Sequence, residues 1–340
     1  MAGSRLSLAL VGCGKIARAH WRGIRYVADR IDVTAVVDTN AAHAAQFAER
    51  TGAQAFTSLE DALAHGHFDA VDIMLPHDLH EWAATVCFAA GKHVCLEKPL
   101  AADIASAERI LELAAAAETC FMVAEQAQYW PDVHKAKELM DAGAIGEITT
   151  ARGCFYDTEE VDPGAPPPWR FSVAKSGGGI SMDGGAHWIR PLRILLGEIE
   201  EVVAVTAQPI ARMEGESMAH AIFRFKSGVT ATFDALLTGG ARAPSEDFRV
   251  TGTAGELVIE NGREGRLKLY DEENPNGIVI MDSFPGKLDS YGIELQEFAD
   301  LVLDGKQLAA SPECSLGELR TAFAIYRSAE SGGWEKVWED

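Results

Sequence analysis

The sequence has a shortage of basic residues. It contains 30 lysines and arginines against 51 aspartates and glutamates, which gives a formal net charge of -21 over 340 residues. Nucleic acids and anionic membranes are bound through basic surfaces, so this balance argues against both kinds of partner. There is also no run of about eighteen apolar residues, and we therefore expect no membrane span. No signal-peptide pattern precedes the first apolar segment, which begins at Leu6.

Paired cysteines are lacking as well. The six cysteines are scattered singly along the chain, and none belongs to a Cys-x-x-Cys pair. We therefore expect neither a disulfide framework nor a zinc or other metal site, and a reducing cytoplasm fits best as the location. The length of 340 residues predicts two domains or one large one.

A turn of small residues follows the first predicted strand. Leu6–Val11 is apolar, and Gly12-Cys13-Gly14-Lys15-Ile16-Ala17 comes at once, before a helical pattern. In a dinucleotide-binding turn the first glycine permits the tight turn, and the second lets the backbone approach a pyrophosphate. A small third residue then allows helix and strand to pack closely. Gly12, Gly14 and Ala17 fit these positions, although small residues also occur in ordinary strand-to-helix turns.

The next predicted strand, residues 33–37, ends at an acid. Asp38 lies 24 positions beyond Gly14 (38 minus 14), close to the spacing of the carboxylate that accepts hydrogen bonds from the ribose hydroxyls. Such an acid repels a 2′-phosphate, and no arginine follows it, so NAD is favoured over NADP. The alternative is an aspartate that caps a helix or closes a turn.

Strands and helices alternate through the first part of the chain. Helices are predicted over 41–51, 59–65, 81–90 and 103–117, and strands over 70–75, 93–96 and 120–124. This alternation predicts an α/β domain over residues 1–125 with a doubly wound parallel sheet.

The pattern changes in the rest of the chain, residues 126–340. After a strand over 147–156 and a proline-rich loop over 162–168, short strands follow one another closely between 200 and 282. Two helices near 291–303 and 316–329 close the chain. We expect an α+β domain on an open-faced, mostly antiparallel sheet, with helices on one face. Its other face has to be covered, which predicts self-association of sheet against sheet.

Two groups of charged residues are candidate site residues. Glu97-Lys98-Pro99 directly follows a predicted strand, at the sheet edge where ligands bind in parallel sheets, although a solvated ion pair is the alternative. Asp183 and His187 are four residues apart, which predicts that they lie on the same face of a helix, one turn apart. Gly184-Gly185 between them predicts close approach of a ligand or of another backbone. The alternative is an N-cap aspartate and a packed core histidine.

Taken together, these motifs resemble the Gfo/Idh/MocA family of nicotinamide-dependent sugar oxidoreductases. The resemblance covers nearly the whole chain, through residues 12–17, Asp38, 75–80, 91–99, 169–170, 177–179, Asp183 and His187. It implies an NAD-binding Rossmann domain over 1–125. It also implies a substrate-binding and oligomerisation domain over 126–340, whose last helices would pack back on the first domain. The implied activity is NAD-dependent oxidation of a secondary hydroxyl of a sugar, cyclitol or glycoside, by a homodimer or homotetramer.

The resemblance also implies roles for single residues. Lys98 would hydrogen-bond the reacting oxygen, and His187 would be the general base, for which its ordinary pKa is suited. Asp183 would position substrate hydroxyls and steady Lys98 or His187, and Arg170 would clamp substrate or cofactor. The residues implied to bind the cofactor are Gly12, Gly14, Lys15, Ile16, Ala17, Asp38, Leu75, Pro76, His77, His80, Glu97, Lys98 and Gln126. The family's common residue at position 77 is asparagine.

Three departures from the family pattern limit the assignment. Gln126-Ala127-Gln128 stands where Asn-x-Arg is often found, which argues against an anionic substrate held there. Arg190 stands where an aspartate often follows the histidine by three positions, and Pro166-Pro167-Pro168 stiffens a loop. Two other functions stay open. One is a redox-neutral glycosidase or lyase that holds NAD tightly and acts by transient oxidation and elimination. The other is a non-catalytic nucleotide-sensing protein on the same fold.

Overall fold

The chain forms two compact units. The computed structural model describes residues 5–159, 164–240, 246–260, 265–282 and 284–338. The first unit comprises Met1–Gln126 with Asp289–Leu316, and the second comprises Ala127–Leu288 with Gly317–Asp340. The sequence-based division at residues 125 and 126 stays a prediction, and the structure adds that segment 289–316 clusters with the first unit. No described helix combines the length with the hydropathy that a bilayer span requires.

The first unit is a parallel α/β structure. Its elements in chain order are β1 (Leu6–Val11), α1 (Ala17–Tyr26), β2 (Ile31–Val37), α2 (Ala41–Thr51), β3 (Gln54–Phe56), α3 (Leu59–His65), β4 (Ala70–Ile73), α4 (His80–Ala89), β5 (His93–Glu97), α5 (Ile104–Ala116) and β6 (Phe121–Ala124). The strand order is β3-β2-β1-β4-β5-β6, and all neighbouring strands of this sheet pair in parallel. The predicted doubly wound parallel sheet is therefore confirmed, and all strand ends that carry candidate residues lie at its carboxyl edge.

The second unit is built on one large sheet. Its elements are α6 (Pro131–Asp141), β7 (Ile148–Thr158), α7 (Val173–Ser176), α8 (Ala186–Leu196), β8 (Ile199–Ala207), β9 (Met218–Phe225), β10 (Thr230–Thr238), β11 (Glu246–Gly252), β12 (Gly255–Glu260), β13 (Arg266–Asp271) and β14 (Ile278–Asp282), followed by α9 (Phe284–Asp304), α10 (Ser315–Ser331) and β15 (Glu335–Lys336). Helix α9 starts in this unit and lies mostly in the first. The order is β14-β13-β12-β11-β7-β10-β9-β8-β15, and only the β7–β10 pairing is parallel within the described residues. The mostly antiparallel sheet is confirmed. The part of the predicted proline loop at 162 and 163 lies outside the described residues.

One face of the second unit's sheet is covered and the other is exposed. Phe223 and Phe233 belong to a buried cluster that also contains Ile189 of α8. Strand neighbours that point the opposite way stay accessible, and Val205 is 61% and Ile222 42% exposed. The helices therefore cover one face, as an open-faced sheet requires.

Helix α9 completes the core of the first unit. A Cβ at Gly23 of α1 would lie 2.7 Å from the Tyr291 carbonyl oxygen, and one at Gly292 would lie 2.8 Å from the Tyr26 ring. The two helices therefore approach through both glycines, since any larger residue would force them apart. Phe298 joins the same buried cluster as Leu8 of β1.

Candidate functional site

The turn after β1 has two glycines that are required for different reasons. Gly12 has a φ of +100°, and a Cβ there would lie 2.4 Å from the Met74 carbonyl oxygen, so the fold itself demands glycine. At Gly14 a Cβ would meet no heavy atom within 4 Å among the described residues. The space next to Gly14 is open, as the approach of a pyrophosphate to the backbone requires. Helix α1 then begins at Ala17, which is buried, while Lys15 is exposed and Ile16 half-buried.

Asp38 joins the end of β2 to this turn. Its Oδ2 accepts a hydrogen bond from the Cys13 N–H at 2.9 Å, and its Oδ1 accepts one from the Asn40 N–H at 2.8 Å. The N-cap of α2 is Asn40, so the interpretation of Asp38 as a helix cap is wrong, whereas its bond to the N–H two residues on is that of an aspartate that closes a turn. Each carboxylate oxygen can accept a further bond, which fits a pair of ribose hydroxyls. Burial, reinforced by Asp38, raises the pKa of Cys13 to about 12 and keeps that thiol neutral.

The segment after β4 is tied to the Lys98–Pro99 turn by His80. Its Nε2 lies 3.0 Å from the Leu75 carbonyl oxygen, and its Nδ1 lies 3.0 Å from the Pro99 carbonyl oxygen. Burial lowers the pKa of His80, so the ring is neutral and donates to one of the two at a time. His77 is buried 5.6 Å from the His80 ring, while Leu75 and Pro76 are half-buried. The implied cofactor contacts of these four residues stay predictions.

Glu97 and Lys98 differ in burial. Glu97 is buried, and its Oε1 lies 2.9 Å from Nε2 of His20 on α1. The alternative of a solvated Glu97–Lys98 ion pair is therefore wrong. Lys98 is half-buried, its N–H donates to the Ala124 carbonyl at 3.1 Å, and its peptide bond to Pro99 is cis. His20 was missed by the sequence analysis, because it lies 77 positions from Glu97 along the chain.

Gln126 is held inside the first unit. It is buried, and its Oε1 accepts a hydrogen bond from the Ser290 hydroxyl at 2.8 Å. This contact anchors the residue to α9. Its implied role in cofactor binding stays a prediction.

Asp183 and His187 do not share a helix. Helix α8 begins at Ala186, and Asp183 lies in the turns before it, so the prediction of one helical face is wrong. Gly184 and Gly185 explain the difference. A Cβ at Gly184 would lie 2.4 Å from the Phe155 ring, and one at Gly185 would lie 3.0 Å from the Ser181 Cα. The close approach is made by the unit's own side chain and backbone.

His187 lies in the first turn of α8. It is half-buried, so it is not a fully packed core histidine. No side chain caps the helix, which also excludes the interpretation of Asp183 as its N-cap. The turn before the helix therefore leaves both side chains partly accessible.

Arg170 is a hydrogen-bond partner of Asp183. The Arg170 Nε donates to Asp183 Oδ2 at 3.0 Å, and the guanidinium lies 4.9 Å from the centre of the Trp169 ring. Both side chains keep partial exposure, 32% for Arg170 and 20% for Asp183. The pair fixes the direction of the carboxylate, and at this exposure it adds little stability, about 0–1 kcal/mol.

Two of the departures from the family pattern meet in the second unit. Nη1 of Arg190 donates to Gln128 Oε1 at 3.0 Å, while its Nε and Nη2 donate to the two oxygens of Glu318 at 2.7 and 2.8 Å. Arg193 donates to the same carboxylate. Arg190 is only 3% exposed. A guanidinium therefore does lie beside residue 128, but two of its nitrogens donate to Glu318.

The parallel sheet, the Gly12 turn and the acid at the end of β2 define the first unit as a dinucleotide-binding Rossmann domain. Residues 6–125 match the model of the GFO/IDH/MocA oxidoreductase family with an NAD-binding Rossmann fold, and residues 133–258 match that of its C-terminal domain. The chain belongs to this family, and it is an NAD(P)-dependent dehydrogenase or reductase acting on CH–OH groups.

Named relatives match the chain along nearly its whole length. Myo-inositol 2-dehydrogenase of Thermotoga maritima is 27% identical, with 96% of each chain covered. Levoglucosan dehydrogenase of Pseudarthrobacter phenanthrenivorans is also 27% identical, with 98% of each covered. The crystal structure of an oxidoreductase from Thermotoga maritima superposes with a TM-score of 0.85 at 28% identity, covering 98% of this chain and 99% of that one.

The two glycines of the turn predict opposite results for Ala substitutions. Gly14→Ala is expected to leave the free energy of unfolding within about 0.5 kcal/mol, because its Cβ enters open space, but to weaken NAD binding at least about tenfold. Gly12→Ala is expected to lower the free energy of unfolding by about 2–4 kcal/mol. The positive φ is strained for alanine, and the added Cβ would clash with the Met74 carbonyl oxygen. Urea unfolding and NAD titration by fluorescence measure the two effects. Tight NAD binding by a folded Gly14→Ala variant would contradict this placement of the pyrophosphate.

Proposed function

We propose that the protein oxidises a secondary hydroxyl of a sugar, cyclitol or glycoside with NAD, in a reversible reaction. One observation carries this proposal. Lys98 follows β5 directly, at the same carboxyl edge of the parallel sheet as the Gly12 turn and Asp38. A cation at this edge is suited to the oxygen of a reacting alcohol, because it stabilises the negative charge that develops there.

The residues of the second unit supply the other roles. His187, at the start of α8, would accept the hydroxyl proton. Asp183, oriented by Arg170, would accept hydrogen bonds from neighbouring hydroxyls of the substrate. NAD, when bound, supplies the acceptor for the hydride. The names of the two similar enzymes, an inositol and a levoglucosan dehydrogenase, support polyhydroxylated substrates.

The test is turnover of a panel of sugars, inositols and anhydrosugars with NAD, followed as NADH absorbance. We expect at least one secondary alcohol to produce stoichiometric NADH. Cleavage of a glycoside by protein that retains NAD and shows no net NADH would replace this proposal with the redox-neutral glycosidase or lyase. Absence of deuterium transfer from every labelled substrate would favour the nucleotide-sensing protein.

Asp38 supports NAD as the cofactor used. Its carboxylate lies at the end of β2, where a 2′-phosphate would meet a negative charge. The same substrate assayed with NAD and NADP is expected to show a preference for NAD. A strong preference for NADP would contradict the role given to Asp38.

We also propose that the exposed face of the second unit's sheet forms a homodimer or homotetramer interface. Val205 and Ile222 are large apolar residues left accessible on that face. Light scattering that gave the mass of a monomer at working concentration would contradict this. We propose a cytoplasmic location as well, which is supported by the six cysteines, none of which forms a disulfide.

A further inference from the structure

His20 is the centre of a buried charged cluster in the first unit. Its Nδ1 lies 2.8 Å from Oδ2 of Asp72 on β4, and its Nε2 lies 2.9 Å from Oε1 of Glu97 at the end of β5. Only an imidazolium has two N–H groups to donate to both carboxylates. Burial acts to lower the pKa of His20, but Asp72 and Glu97 outweigh it and raise the pKa well above its usual value. His20 therefore bridges two strands as a cation.

Further titratable groups of this cluster come from α9, from the end of β6 and from β5, whose buried Cys95 thiol has a pKa raised by burial and by Asp72. Burial raises the pKa of Glu294 well above its usual value, against the attraction of His20, so this carboxyl is neutral. The Tyr291 ring lies 5.6 Å from the His20 ring, and burial raises its pKa as well. Glu125 is buried after β6, and its charge contributes to the raised pKa of both Glu294 and Tyr291. Asp72 and Glu97 are thus the two carboxylates that hydrogen-bond the imidazolium.

Both neighbours of Lys98 in the chain are held by buried histidines. Glu97 contacts His20, and the Pro99 carbonyl contacts His80 at 3.0 Å. His20 lies on α1, the helix that begins at the end of the Gly12–Ala17 turn. The end of β5 is therefore connected through one side chain to the helix that follows the dinucleotide-binding turn.

We propose that His20 is a positioning residue for the reaction, whose contact with Glu97 sets where Lys98 stands relative to the Gly12–Ala17 turn. This inference rests on the proposed role of Lys98. The His20 ring is fully buried and acts through the main chain of residues 97 and 98. A shift of about 1 Å in a catalytic group lowers turnover by about 10²-fold, so even a small relaxation of this contact is measurable.

Two substitutions at His20 separate positioning from simple stability. In His20→Asn the amide nitrogen takes the place of Nδ1, which keeps the donor toward Asp72 and removes the one toward Glu97. In His20→Gln it takes the place of Nε2, which keeps the donor toward Glu97. Both variants lose the positive charge of the imidazolium and keep one hydrogen bond to a carboxylate, so we expect comparable losses of stability. We expect kcat to fall about 10- to 100-fold in His20→Asn and less than about threefold in His20→Gln, with NAD binding little changed in both. Equal losses of kcat in the two variants would overturn the proposal.

A combination with Lys98→Met distinguishes the failure of this inference from failure of the proposed function. If His20 acts through Lys98, adding His20→Asn to Lys98→Met causes no further loss of kcat, whereas multiplied losses would overturn the inference. If Lys98→Met alone keeps full turnover, the proposed function fails. If Lys98→Met is inactive and folded His20→Asn is fully active, only the role of His20 fails.

Glu97→Gln approaches the same contact from the other side and serves if the His20 variants do not fold. It replaces a charged acceptor with a neutral one while keeping the shape. We expect kcat to fall about tenfold with the circular dichroism spectrum unchanged. Wild-type kcat in folded Glu97→Gln would overturn the inference.

Discussion

Lys98→Met is expected to lower kcat by about 10²–10³-fold, because it removes the donor that stabilises charge on the reacting oxygen. Methionine keeps most of the length and apolar volume of the lysine stem, so the sheet edge is preserved. NAD binding is expected to weaken far less than kcat falls, since the contacts proposed for Gly14 and Asp38 do not depend on the ammonium group. Steady-state kinetics and NAD titration measure the two effects separately.

The matched control for this substitution is Lys92→Met. Lys92 lies in the same unit, just before β5, and its Nζ donates to the Phe68 carbonyl at 2.7 Å. It is half-buried like Lys98, so loss of a lysine charge as such is controlled. We expect wild-type kcat in Lys92→Met. Intact turnover in both Lys98→Met and His187→Ala would contradict the proposed chemistry.

Glu318→Ala is expected to lower the free energy of unfolding by about 3–5 kcal/mol, because it removes the carboxylate that two buried guanidinium groups share. Arg190 donates to both oxygens of Glu318, and Arg193 donates to one of them. Both arginines are buried, so water does not replace the lost partner. Equilibrium unfolding in urea measures the loss.

An exposed ion pair in the same unit provides the control for Glu318. Glu138 accepts a hydrogen bond from Lys135 at 2.7 Å, and its side chain is 68% exposed. Glu138→Ala is expected to change the free energy of unfolding by less than about 0.5 kcal/mol. A loss of less than about 1 kcal/mol in Glu318→Ala would show that other groups compensate the two arginines.

Local patterns allowed much of the first unit to be predicted. The small-residue turn, the acid after β2 and the alternation of strands and helices are each contained in a few neighbouring residues. Strand β3 has only three residues and gave no periodic signal. Helix α6 had a signal that was missed, since Pro131 begins it and Val133 and Ala136 form its buried face.

The contacts that determine the site residues were beyond prediction because they join distant parts of the chain. His20 and Glu97 are 77 positions apart, and Arg190 and Glu318 are 128 apart. Asp183 was placed on a helix by its spacing from His187, but Gly184 packs against Phe155 and the chain turns there first. The four-residue spacing predicts a shared face only if a regular helix contains both residues, and this helix begins at Ala186.

The participation of α9 in the first unit limits how its parts can be exchanged between proteins. Leu295, Phe298 and Ala299 are buried with the strands of the parallel sheet, and Gly292 seats the helix against α1. A fragment that stops near residue 125 would expose this apolar surface and lose two of the side chains around His20, Tyr291 and Glu294. A chimera that borrows the dinucleotide-binding unit must therefore carry two separate stretches of sequence. Recombination between relatives is tolerated only where both stretches come from the same parent.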